Sequence, residues 1–137
     1  MTKRLMTISL ILTCITFIGC SKRDDEVNLV MKDLDSFTSE MVGKLSTAKD
    51  PKTGLSEAQN YFDAKQADIK MRFDSIKEVR GFQLSEATQK HMQDSLTKNL
   101  TSVASLQITY MSQSLADKKF SAGLEKLIKE YQEIFKL

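Results

Sequence analysis

From Val27 onward the apolar residues recur at helical spacing. Val27, Val30, Leu34, Phe37, Met41 and Leu45 follow one another three or four residues apart, laying one narrow apolar stripe along a helix from about residue 25 to 48. Asp24, Asp25 and Glu26 place negative charge at its start, where the helix dipole favours it. Pro51 and Gly54 in KDPKTG predict a turn after it. LSEAQ at 55–59 and LSEAT at 84–88 read as two helix starts, with Ser56 and Ser85 as N-caps and Gln59 completing a capping box with Ser56. The second helix turns Phe62, Ile69, Phe73, Ile76 and Val79 inward and stops at Arg80-Gly81-Phe82. There Gly81 is expected in the left-handed conformation, with Phe82 folded back onto Ile76.

The third helix is expected over Glu86 to Leu115, with Met92, Leu96, Leu100 and Val103 as its stripe. Beyond Val103 the apolar surface widens to take in Leu106, Ile108, Tyr110, Met111 and Leu115, more than one neighbouring helix needs. The last helix carries Phe120, Leu124, Leu127, Ile128, Tyr131, Ile134 and Phe135, with either Asp117 or Ser121 as its cap. Gly43 and Gly123 fall inside helices and mark expected close crossings. Asp68–Arg72, Glu86–Lys90 and Glu125–Lys129 are favourable pairs four residues apart. No segment alternates as a strand does. The predicted fold is all-α, an antiparallel bundle of three to four helices over residues 27–137.

The residues ahead of the bundle have a different pattern. Lys3 and Arg4 are followed by Leu5–Ile18, an uncharged run rich in Leu, Ile, Phe and Met, and then by Gly19-Cys20. A basic start and a short apolar core are the layout of a secretory signal peptide. The run falls short of the about 20 residues a membrane-spanning helix needs. Phe17-Ile18-Gly19-Cys20 resembles the lipobox of bacterial lipoproteins, with Phe17 standing where leucine is usual. The resemblance implies that residues 1–19 are removed and that Cys20 carries a diacylglycerol through its sulfur. It also implies a cell-envelope location: the periplasmic face of the outer membrane in a Gram-negative host, otherwise the outer face of the cell membrane. Ser21 resembles the residue found there in outer-membrane-sorted lipoproteins. Cys14, the other of the two cysteines, lies in the leader, so the mature chain is expected to have no partner for an internal disulfide.

Processing also changes the charge. The formal +2 depends on Lys3 and Arg4; without them 18 of the 20 basic residues face 18 acidic ones. A neutral chain with interspersed signs lacks the basic patch that nucleic acid demands. Residues 20–26, the lipidated Cys20 and SKRDDE, are expected as a solvated tether reaching at most about 20 Å.

Candidate chemistry is sparse. His91 is the sole histidine and sits among Gln89, Lys90, Gln93 and Asp94, a solvated surface setting. A zinc site needs three or four ligands, and no second histidine is present. Asp33 with Asp35 and Asp63 with Asp68 have spacings that do not share a helix face. No Gly-rich phosphate loop occurs, and no serine has a neighbouring histidine base. No enzyme activity, metal or cofactor is therefore expected.

The expected role is structural or interactive: a domain held to the membrane by its lipid and presenting a helix face to an envelope protein, or to a second copy. The candidate surface is Leu106, Tyr110, Met111 and Leu115, joined by Phe120, Leu124 and Tyr131 of the last helix. The alternative is a module binding a lipid or other apolar ligand between helices, to which the methionines Met31, Met41, Met71, Met92 and Met111 would lend an adaptable lining.

Overall fold

The computed structural model describes residues 23–136. The leader at 1–19, the proposed lipid site at Cys20 and Leu137 lie outside them. The described chain is all-α, without a strand. Helix α1 spans Asp24–Thr47 and α2 Pro51–Ile76; a single 3-10 turn at Gly81–Gln83 leads to α3, Glu86–Ala104. Two short helices follow, α4 at Leu106–Thr109 and α5 at Met111–Ala116, and α6 closes the fold at Lys118–Glu133.

The four long helices run alternately up and down. α1 packs against α2 on one side and α3 on the other, while α6 packs mainly on α2 and more lightly on α3. The expected stripe of α1 is its buried face, with Met31 and Thr38 added. Phe37 holds the centre of an aromatic cluster, its ring 5.8 Å from Tyr61, 5.9 Å from Phe62 and 6.2 Å from Tyr131. Two ends are thereby defined. At the near end, where the described chain begins, the Arg23 backbone N–H donates to the carbonyl of Gln83 (3.1 Å), and the Ser85 N–H donates to Asp24 Oδ1 (2.8 Å). At the far end the Tyr110 hydroxyl donates to the carbonyl of Leu45 (3.1 Å), and Lys52 pairs with Asp117 (2.7 Å).

Several boundaries differ from the sequence expectation. The 20–26 segment is not all tether: α1 begins at Asp24, and Arg23 is tied to the 3-10 turn. The second helix begins at Pro51, not at Ser56. Asp50 is its cap, with Oδ1 accepting from the Thr53 N–H at 3.0 Å. Proline suits the first helical position because its missing N–H would have no partner there. Gly54 is buried inside that first turn; a Cβ would lie 2.7 Å from the Leu45 carbonyl oxygen and 2.9 Å from Ala48 Cβ. Glycine thus lets α2 seat directly on the end of α1.

Gly81 does not take the left-handed conformation, and Phe82 is 77 % exposed instead of folding back. Ser85 caps α3 as expected, its Oγ accepting from the Thr88 N–H at 3.2 Å. Asp117, of the two candidates, caps α6, accepting from Lys119 and Phe120 N–H at 2.9 and 3.1 Å. Lys90 pairs with Asp94 (2.6 Å). Gly123 does mark a close crossing, since a Cβ there would lie 3.0 Å from Leu55 Cδ2, whereas Gly43 has open space around it.

The single helix expected over 86–115 breaks after Ala104. Hydroxyls compete for its backbone: Ser102 donates to the Lys98 carbonyl (2.8 Å), Ser105 to Ser102 (2.8 Å) and Thr109 to Ser105 (3.1 Å). Such back-bonding bends and weakens a helix. The Tyr110 bond to Leu45 fixes the new direction.

Candidate functional site: the far-end apolar stripe

The broken segment after α3 gives the far end its character. Ile108 is 79 %, Met111 58 % and Leu115 81 % exposed. Three apolar side chains that uncovered, within eight residues of chain, form a stripe on α4 and α5 that the bundle itself does not cover. Below it an open cleft of about 300 Å³ is lined by Gln107, Met111, Ser114, Leu115, Ser121, Leu124 and Glu125, so the stripe has an apolar floor and a polar rim. Such a layout matches the apolar centre and polar edge of protein interfaces.

The structure divides the sequence-predicted surface. Met111 and Leu115 are exposed, and Tyr110 is half-buried at its edge. Leu106, Phe120, Leu124 and Tyr131 are buried core, of which Leu124 reaches no further than the floor of the cleft. They lie on the inner side of α4 and α6: Phe120 packs 5.8 Å from Tyr110, and Tyr131 stacks on Phe37. Ile108 belongs to the stripe instead. Its signal was present in the sequence, as an apolar residue three before Met111 and seven before Leu115.

The acidic pairs also separate. Asp33 pairs with Arg72 (2.8 Å). Asp35 accepts from Ser95 Oγ at 2.7 Å and from Asn99 Nδ2 at 2.5 Å, bridging α1 to α3. Burial alone would raise its pKa; the Ser95 and Asn99 hydrogen bonds, with Lys98 nearby, hold it below the usual carboxylate range. The residues of α3 that meet it (Ser95, Asn99) were missed, because an inward-facing hydroxyl and amide resemble surface residues until their partner is placed. His91 is exposed, its Nδ1 2.9 Å from Asn28 Oδ1. Among the described residues no three His, Cys, Asp or Glu side chains converge as a metal site would require, and no helix is long and apolar enough to cross a membrane. Compared with known protein families, with curated proteins and with solved structures, the chain matches none.

Proposed function

We propose that this chain is a lipid-anchored protein of the cell envelope that works by contact, presenting its far-end stripe to a protein partner. The anchor reading rests on the leader and on Phe17-Ile18-Gly19-Cys20. The contact reading is carried by one observation, the exposure of Ile108, Met111 and Leu115 at the end opposite residue 23. From Val27 to Leu45 α1 extends roughly 27 Å, so a tether leaving the near end would hold the stripe clear of the bilayer surface. A free apolar ligand enclosed between the helices has weaker support, because the core there is filled by packed side chains.

The test has two parts. Protein isolated from its native host should carry an acyl-modified Cys20 as its first residue by mass spectrometry. A photo-crosslinking residue at position 111 or 115 should capture the same envelope protein, whereas one at position 65, on the exposed side of α2, should not. Leu115→Asp should abolish that capture while changing stability by less than about 0.5 kcal/mol, because the side chain is already solvated. An unmodified Cys20 would remove the anchor. Capture that is equal from positions 65 and 115 would remove the surface.

A further inference from the structure

α6 stops short of the near end. Glu133 is its last helical residue, and Phe135 meets Phe73 edge-on at 5.2 Å, still one helical turn before α2 finishes at Ile76. Beyond that point the described residues supply no fourth helix. The space left is an open groove of about 280 Å³, lined by Phe73, Ile76, Leu84 and Phe135 and walled by α3. Met92, Leu96 and Leu100 are spaced four apart along that wall and are all half-buried. Together they make an apolar rail about 12 Å long. An apolar cavity of about 150 Å³ already accommodates a benzene. This groove, open to solvent, has nearly twice that volume.

We propose that the groove holds one hydrocarbon chain of the lipid carried on Cys20. This rests on the anchor reading above. Position decides the occupant. Arg23 is bonded through its backbone to Gln83, the residue next to Leu84, which lines the groove. Cys20 lies three residues before Arg23, a reach of at most about 11 Å. A chain attached there therefore starts beside the groove. The lining chemistry favours an esterified chain over a free fatty acid. Among the described residues Lys77 is the only charged one lining the groove, and it is already committed: it pairs with Asp74 at 2.6 Å and donates to the Lys136 carbonyl at 3.1 Å. Among the described lining residues no uncommitted cation is left to receive a carboxylate head.

The arrangement would withdraw one chain from the bilayer and make attachment reversible, since two chains anchor stably where one binds only marginally. The full chain would be produced in its native host with a palmitate analogue carrying a photo-reactive group near its tail, then irradiated in membranes. The expected result is an adduct between the acyl group on residue 20 and peptides spanning 92–100. Leu96→Trp, which fills the groove, should lose the adduct and increase the membrane-bound fraction; Leu115→Trp at the far end should keep it. If Leu96→Trp does not fold, the adduct map of the unmodified protein decides alone. Label on residue 20 with adducts only to phospholipid would overturn the groove and leave the anchor standing. Adducts joining two copies would give the groove to a second molecule and overturn this assignment. Absence of label from residue 20 would overturn groove and anchor together.

Discussion

At Tyr131 the core depends on a polar atom. The ring is fully buried between Phe37 and Phe135, at 6.2 and 5.3 Å, yet its hydroxyl lies 2.6 Å from Thr38 Oγ1. Thr38 spends its own proton on the Leu34 carbonyl (2.9 Å), so the tyrosine is the donor. Thr38 thereby serves as acceptor and donor at once and ties α6 to the middle of α1. Tyr131→Phe removes this bond and keeps the ring. It should lower unfolding free energy by about 1 kcal/mol in urea titration, with the helix content of the folded state unchanged. The stripe spacing in the sequence made Tyr131 legible as an apolar position of α6. It did not reveal that the residue is sealed, because a helical pattern shows which side is apolar and not which neighbours cover it. Phe120 and Leu124 were misplaced on the candidate surface for the same reason, while Met111 and Leu115 stay uncovered because the chain turns after Ala104.

Among the elements, the sequence was most informative where the chemistry is local. Ser85 and Asp117 cap their helices through side-chain oxygens that reach two or three residues ahead, and such signals need no tertiary context. Pro51 was misleading because proline both ends helices and begins them; Asp50, one residue earlier, decides in favour of a beginning. The break after Ala104 was not legible, since it depends on Tyr110 meeting Leu45 across 65 residues of chain. The glycines give a matched test at this scale. Gly54→Ala sets a methyl 2.7 Å from a carbonyl oxygen of α1, and backbone cannot swing aside, so the thermal midpoint should fall and the α1–α2 junction should loosen. Gly43→Ala meets nothing within 4 Å and removes a flexible residue from inside α1. It should stabilise the domain by up to about 1 kcal/mol. Melting curves of the two variants should therefore shift in opposite directions.

The whole molecule behaves as one titrating body. Burial and the neighbouring Glu40 push Tyr61 up to about 12, and burial with the nearby Asp35 raises Tyr131 as well. Unfolded tyrosine loses its proton near pH 10. The unfolded chain therefore ionises first, and stability present below pH 10 should be lost as pH rises towards 12. The carboxylates act in the opposite sense. Asp50 and Asp117 are held low, the first chiefly by the Thr53 N–H and the second chiefly by Lys52, and hydrogen bonds keep Asp35 low too. Their contribution is present above the ordinary carboxylate pKa of 3.8 and is lost as pH falls below it. Melting temperature against pH should show a plateau with a fall at each edge, and Tyr61→Phe should soften the alkaline edge alone.

The bond between Arg23 and Gln83 determines how the domain bears load. A pull applied at Arg23 along the axis of α1 would act on a helix gripped on both flanks by α2 and α3. Force in that direction must slide the whole α1 face past its neighbours at once, instead of unzipping one contact after another. A load applied at this corner along that axis would therefore meet the α1–α2 and α1–α3 contacts together.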